Sequence, residues 1–172
     1  MGRRSTRKNK NIYQIKREEL GYSREKASLE MNDYITPERI DKIETGNYPI
    51  RPDEVLCMAK VYKSPELCNH YCSQECSIGK TYVPEIRQKD LSQIILEMLA
   101  TLNSMQNKRV RLIEITFDGK IQDDEIEDFV EIQKELERIS TICDTLRLWV
   151  EQTIMNCEMN EELYQFYMNN QK

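Results

Sequence analysis

Cys68, Cys72 and Cys76 follow one another at steps of four residues, with His70 between the first two. Thiolate and imidazole groups are common ligands of zinc and of iron–sulfur clusters, and Cys57 could supply a further ligand. On an α-helix, steps of four would place the three sulfurs on one face. The spacing matches no standard ligand motif, and free cysteine is among the most buried residue types. We therefore expect these side chains to pack in the interior without a cofactor, and a metal- or thiol-responsive site is the alternative.

A basic segment at the start of the chain could bind phosphate groups. The first ten residues contain no acid and five basic residues: Arg3, Arg4, Arg7, Lys8 and Lys10. Residues 1–80 carry 15 Lys and Arg against 12 Asp and Glu, whereas residues 81–172 carry 10 against 18. The net charge of −5 therefore combines a basic N-terminal half with an acidic C-terminal half. This asymmetry predicts an anionic partner that meets the N-terminal end, with a solvated tail as the alternative.

The remaining composition argues against catalysis and against a membrane protein. His70 is the only histidine, and no Ser-His-Asp or phosphate-loop pattern is present, so we expect no enzymatic activity. No stretch approaches the roughly 20 apolar residues of a membrane span. No apolar run follows the basic start, which argues against a cleaved secretory signal. We expect a cytoplasmic protein whose 6 cysteines form no disulfide framework.

The elements that would position these residues are helices. Gly and Pro are scarce, with 5 of each, which disfavours a protein of strands and turns. A first helix is predicted over residues 11–20 and ends at Gly21. Its expected inward side chains are Ile12, Ile15 and Leu20. Ser23 is placed to cap a second helix that buries Ala27 and Met31.

Three further helix starts follow in the N-terminal half. Thr36 and Pro37 open a third helix over about residues 36–45, because a hydroxyl accepts free amide protons and proline suits the first turn. Its inward residues are Ile40 and Ile43, and Gly46 ends it. A fourth helix over about residues 52–62 would bury four side chains: Val55, Met58, Ala59 and Tyr62. Residues 64–66 repeat the Ser/Thr-Pro-Glu start and predict a fifth helix.

The C-terminal half has a different pattern. Residues 81–84 predict a short extended linker, and apolar residues then recur at alternating steps of three and four, as in helices that pack along their length. The first seam comprises Leu91, Ile95, Met98, Leu102 and Met105. The second comprises Phe129, Ile132, Leu136, Ile139, Cys143, Leu146 and Val150. A turn at residues 117–120 would fold the two helices into an antiparallel hairpin, and a last helix over residues 161–168 would be capped by Asn160.

The N-terminal pattern resembles the phage-repressor family of helix-turn-helix proteins, also called the Cro/cI or XRE type. The resemblance covers about residues 10–70. It is carried by residues 23–28 at the start of helix two, Ile35 and Thr36 before helix three, and residues 43–46 at its end. Residues 58–62, followed by 64–67, are similar to that family's fourth and fifth helices.

The resemblance implies that helix three lies in the major groove of double-stranded DNA. It places three residues against base edges: Pro37, Glu38 and Lys42. It also implies phosphate contacts from Arg24, Arg39, Thr45 and Asn47. The basic arm, with Arg3, Arg4, Arg7 and Lys8, would follow the backbone or enter the adjacent minor groove.

We therefore expect an all-α protein in three parts: a basic flexible arm (1–10), a five-helix repressor-type helix-turn-helix domain (11–80) and a long antiparallel helical hairpin (81–172). The hairpin has a spare apolar stripe with Ile126, Ile142 and Trp149, which predicts a homodimer, or a protein partner bound through residues 85–155. The expected function is that of a sequence-specific DNA-binding transcriptional regulator. The alternative is an interaction or scaffold protein that keeps the fold without binding DNA.

Overall fold

The protein is helical throughout the part of the chain that the computed structural model describes, residues 10–117 and 119–170. That part forms nine α-helices and one π-helix. The helices are α1 (Ile12–Glu19), α2 (Arg24–Glu30), α3 (Pro37–Glu44), α4 (Pro52–Val61), α5 (Glu66–His70), the π-helix (Tyr71–Glu75), α6 (Gly79–Tyr82), α7 (Leu91–Ile115), α8 (Ile126–Met155) and α9 (Glu161–Asn170). The all-α class is therefore confirmed. Within the same residues, no helix has both the length and the apolar character that crossing a membrane requires.

The predicted helix starts are confirmed by their capping hydrogen bonds. The side chains of Asn11, Ser23 and Thr36 accept hydrogen bonds from backbone amides in the first turns of α1, α2 and α3. Asp90 and Asn160 do the same for α7 and α9. Each of these side chains pairs an amide that a helix start leaves without an intrahelical partner, so the local sequence fixes where the helices begin.

The core of the N-terminal helices consists of the predicted residues of α2, α3 and α4. Buried side chains from these helices, the turn after α2 and α5 pack in one cluster with Tyr13: Ala27, Met31, Ile35, Ile40, Ile43, Ile50, Val55, Met58, Ala59, Tyr62 and Leu67. The spacing of three and four residues along each helix places them on one face, as an amphipathic surface helix requires. Ile35, in the turn between α2 and α3, is 1% exposed.

Two local predictions were wrong. α1 does not bury Ile15 and Leu20, which are each 39% exposed; it turns Tyr13, Gln14 and Arg17 inward. Residues 79–82, part of which was predicted as an extended linker, form the short helix α6. In both places polar groups find partners inside the protein, which hydropathy alone does not indicate.

The chain divides into two compact units, residues 1–85 with 151–172, and residues 86–150. The second unit is the predicted antiparallel hairpin, built from α7 and most of α8. Its register is shown by three polar links between the helices, Ser104 to Glu135, Lys108 to Glu131 and Arg111 to Asp128, with atoms 2.5–3.0 Å apart. As the residue number increases along α7, the number of its partner on α8 decreases, so the two helices run antiparallel.

Only some of the residues predicted to form the seams of the hairpin are buried. On α7, Ile94 and Ile115 are buried, whereas Leu91, Ile95 and Leu102 are 38–47% exposed. On α8, Ile132 is 2% and Ile142 8% exposed, whereas Leu136 is 49% exposed and Cys143 is also exposed. A two-helix hairpin has room for one shared seam, so the predicted stripes lie beside that seam and remain half open to solvent.

Candidate nucleic-acid interface

The segment predicted to contact DNA consists of α2, a turn and α3. The turn is closed by Asn32 and Asp33, whose positive φ values of 51° and 57° place both in the left-handed region. Asn and Asp tolerate that conformation better than most residues. Ser28 further stabilises the turn, since its hydroxyl lies 3.2 Å from a carboxylate oxygen of Asp33.

A buried ion-pair cluster anchors the C-terminal end of α3. Glu44 has a side chain that is 1% exposed, and its carboxylate accepts hydrogen bonds from Arg17 of α1 and from Arg24 of α2. Arg17 binds both carboxylate oxygens and also donates to the backbone carbonyl of Tyr22. Burial disfavours the charged form of Arg17, but the hydrogen bonds and charge of Glu44 outweigh it and raise the pKa of Arg17. One carboxylate of α3 therefore holds three helices together.

A second ion pair anchors α3 from the side of α4. Arg39 donates to both oxygens of Glu54, at 2.7 and 2.6 Å, and to the carbonyl of Pro49 at 2.9 Å. The Glu54 side chain is 2% exposed and also accepts from the backbone amide of Arg51 at 2.9 Å. Burial raises the pKa of Glu54, but the hydrogen bonds from Arg39 and the Arg51 amide outweigh it and lower that pKa below its ordinary value. α3 is thus tied on both flanks.

The outer side of α3 is left open to solvent. Ile40 and Ile43 face the core at 0% and 3% exposure, while Glu38 and Lys42 are exposed and Pro37 is half-buried. Glu38 and Lys42 lie one turn apart on the same face. Lys42 has no ion-pair partner among the residues described; its ammonium nitrogen lies 5.4 Å from the ring centre of the exposed Tyr48.

The predicted phosphate-contacting residues are placed in different ways. Thr45 ends α3 and its hydroxyl donates to the carbonyl of Asp41 at 2.8 Å, while the exposed Asn47 donates to the Thr45 hydroxyl. Arg24 is about one third exposed and binds Asp41 and Glu44. The guanidinium of Arg39 is occupied by Glu54 and Pro49. Arg3, Arg4, Arg7 and Lys8 lie outside the described residues.

The ion pairs change the charge of this surface. Of the acidic residues on α3, Glu44 is buried between two arginines and Asp41 lies 2.8 Å from Arg24. Their negative charge is compensated by adjacent guanidinium groups. Glu38 is the acid of α3 for which the described residues show no ion pair. Repulsion between α3 and an anionic ligand is therefore largely reduced to that of one carboxylate.

The cysteine cluster does not gather into a ligand set. In the described ranges, no group of three or more His, Cys, Asp or Glu side chains is arranged to hold a metal ion. The reason is the π-helix: Cys76 donates its amide to the carbonyl of Tyr71, five residues back, which changes the register between Cys72 and Cys76. Cys57 and Cys68 pack against the core, and burial raises the pKa of both thiols, which disfavours the thiolate that binds metals.

The π-helix instead positions Glu75 and His70 beside α1. The Tyr13 hydroxyl donates to a carboxylate oxygen of Glu75 at 2.7 Å, and the rings of Tyr13 and His70 meet edge to face with centres 6.2 Å apart. Burial, followed by the hydrogen bond to Glu75, raises the pKa of Tyr13. The surroundings of His70 are therefore those of a packed side chain rather than a metal ligand.

Sequence reasoning missed the anchors of α3, Glu44 and Glu54, and the arginine of α1 that binds Glu44. The resemblance includes Glu44 at the end of helix three but gives it no partner, because the partners of Glu44 and Glu54 lie 27 and 15 residues away along the chain. It also missed Tyr34 and Tyr48, which are 57% and 58% exposed. Two large aromatic side chains left open beside a helix could have been suspected from their place in polar turns.

Comparisons with protein-family models, with curated proteins and with solved structures found no match to this chain. The functional conclusion therefore depends on the geometry and on the sequence resemblance over residues 10–70.

Proposed function

We propose that the chain is a sequence-specific DNA-binding regulator that acts as a dimer and presents the outer side of α3 to the major groove. The observation that carries the proposal is the anchoring of α3. Two buried ion pairs and two isoleucines hold the helix on its inner side, while its outer side carries no structural task. An α-helix with its side chains is about 10–12 Å in diameter, which fits the major groove, about 12 Å wide.

In this proposal the exposed residues of α3 read bases. Lys42 donates to the acceptors of a guanine, and Glu38 accepts from a cytosine amino group. Pro37 makes an apolar contact at the helix start. Thr45 and Asn47, at the other end of α3, bind phosphate through side-chain or backbone donors. Arg24 keeps its predicted phosphate contact, while Arg39 is assigned to positioning α3 through Glu54.

The basic arm supplies the nonspecific part of the affinity. Arg3, Arg4, Arg7 and Lys8 would neutralise phosphates and release counterions, so binding should weaken as salt rises. Removing residues 1–10 should therefore lower the affinity for every duplex by a similar factor. It should also flatten the dependence of affinity on salt.

The test is selection of bound duplexes from a random pool, followed by titration of the enriched sequence with variants. Lys42→Ala should lower affinity about 5- to 150-fold and relax the preference at one base position, since a base contact contributes about 1–3 kcal/mol. Lys60→Ala, which removes an exposed lysine of α4, is the matched control and should change little. Glu38→Gln should tighten binding to unrelated duplexes by removing a carboxylate that repels phosphate.

The proposal fails if no sequence is enriched at low salt, or if both Lys42→Ala and deletion of residues 1–10 leave retention unchanged. A protein-binding scaffold would then be the better account of the fold. Circular dichroism of each variant confirms that the helices are intact before its affinity is compared.

A further inference from the structure

α7 carries a second heptad stripe that faces away from α8. We call it the outer stripe; its members, spaced alternately by three and four residues, are Leu96, Leu99, Asn103, Gln106, Val110 and Ile113. The four apolar members are 68%, 53%, 66% and 56% exposed, and both amides are exposed as well. A row of large apolar side chains open to water along about five turns of a helix is costly unless another surface covers it.

The order of residue types along the outer stripe suits a second copy of α7 in antiparallel orientation. Two apolar positions, two amides and two apolar positions follow one another, so the pattern is the same in both directions. When two copies of α7 pack antiparallel, Leu96 of one copy lies opposite Ile113 of the other, and Leu99 opposite Val110. At the centre, Asn103 lies opposite Gln106, and a two-fold axis repeats every pair.

The central amides argue for this pairing and fix its register. The side-chain amides of Asn103 and Gln106 make no hydrogen bond to another described residue, although both carry donors and acceptors. In the antiparallel arrangement Asn103 of each copy lies opposite Gln106 of the other copy, so the interface contains two such pairs. A shift by one heptad would bury these amides against two leucines in one direction, or against isoleucine and valine in the other, which costs free energy because their polar groups lose water without a replacement.

The flank of the outer stripe is apolar on one side. Ile95 and Leu102, 38% and 47% exposed, lie one position before Leu96 and Asn103. Leu102 lines a small apolar groove of the hairpin together with Met98, Ile139 and Cys143. The opposite face of the hairpin carries polar and charged groups, among them Glu97, Lys134 and Glu137. The apolar flank therefore extends the contact on one side of the outer stripe.

We infer that the outer stripe of α7 is the homodimer surface of this protein, occupied by α7 of a second copy in antiparallel orientation. This inference deepens the proposed function by naming the surface that joins two DNA-binding halves, but its evidence lies in residues 86–150 alone. The dimer is isologous, so one substitution acts twice in the interface.

The first experiment measures mass by light scattering on the full chain without DNA. The wild-type protein should be a dimer at micromolar concentration, and Val110→Glu should shift it to monomer by raising the dimer dissociation constant about 100-fold or more, because two carboxylates lose water in one interface. The matched control is Val130→Glu on α8, off the stripe and also exposed, which should remain dimeric. Val110 is 66% exposed in one chain, so its replacement leaves the fold of the monomer intact.

The second experiment tests the orientation by cross-linking. In a background with the exposed Cys143 and Cys157 changed to serine, a mixture of Leu96→Cys and Ile113→Cys proteins should be joined by a short bismaleimide. Neither protein alone should be joined, since two copies of one position would be about 25 Å apart.

Three outcomes would overturn the inference. They are a monomeric wild-type protein, a Val110→Glu protein that remains dimeric, or cross-linking of the single variants by themselves, which would indicate parallel packing. None of these outcomes depends on DNA, so failure of the dimer surface and failure of the proposed DNA binding are separately visible. A monomeric protein that still binds DNA containing a single half-site would contradict the dimer surface and would leave the proposed DNA binding standing.

Discussion

Glu44→Gln is the perturbation that most directly tests how α3 is anchored. The wild-type carboxylate accepts two hydrogen bonds from Arg17 and one from Arg24, with a side chain that is 1% exposed. Glutamine keeps the shape but removes the charge, and its amide nitrogen would face a guanidinium donor. Arg17, whose side chain is 7% exposed, would then keep only the more distant carboxylate of Glu18, 3.8 Å away, as a counterion.

The expected cost is about 3–5 kcal/mol, the usual loss when one partner of a buried pair is removed. This loss in the free energy of unfolding is measured by urea unfolding of the first unit, monitored by the near-ultraviolet circular dichroism of its buried tyrosines. Glu19→Gln, in the same unit, breaks a pair with Lys16 in which the Glu19 side chain is 57% exposed, and should cost less than about 1 kcal/mol. Equal losses for Glu44→Gln and Glu19→Gln would refute the assignment of Glu44 as an anchor.

A double variant separates the anchor from simple packing. Arg17→Met with Glu44→Leu replaces both buried charges by apolar groups, and the partly exposed Arg24 keeps its pair with Asp41. We expect this double variant to regain most of the stability lost in Glu44→Gln, as has been found when buried ion pairs are replaced together. If the double variant loses as much stability as Arg17→Met and Glu44→Leu lose separately when added together, the two residues act independently.

Three further predictions concern the same unit. Tyr62→Phe should leave stability unchanged or raise it by about 1 kcal/mol in urea unfolding, because the hydroxyl of this residue is buried without a hydrogen-bond partner; a loss above that size would contradict this. Glu54 has a lowered pKa in the folded protein, so its stabilising contribution is complete above the unfolded value of about 4.3 and is lost as the pH falls through the lower folded value; Glu54→Gln should therefore flatten the acid side of the plot of melting temperature against pH. Gly79→Ala should lower the melting temperature, because a Cβ there would overlap the carbonyl of Cys72; an unchanged melting temperature would mean that α6 moves freely.

The sequence predicted well the features that depend on neighbouring residues. Helix starts at Ser23 and Thr36, and the buried faces of α2, α3 and α4, follow from capping chemistry and from a period of 3.6 residues. These signals are local, so they survive without knowledge of the fold. The predicted outer side of α3 also follows from them, since it is the face that Ile40 and Ile43 leave free.

The failures have a common physical reason: the deciding partner is distant in the chain. Arg17 is buried because Glu44 neutralises it, and hydropathy would place such a residue in solvent. α7 is apolar around more than half of its circumference, so a spacing of three and four fits several stripes at once. Which stripe faces α8 is set by the links of Ser104 and Lys108 to α8, not by α7 alone.

The acidic balance of the chain has a consequence for how such a protein would bind DNA. Residues 81–172 carry 18 Asp and Glu against 10 Lys and Arg, which repels a polyanion and lowers affinity for random sequence. Since specificity is the ratio of specific to nonspecific affinity, a weak nonspecific background helps a reading surface as small as the outer side of α3. Under the proposed function, the same repulsion would weaken the contact of a single copy of α3 with one half-site. A second copy, joined through the outer stripe of α7, would then add the affinity that one copy of α3 lacks, because each copy would bind its own half-site.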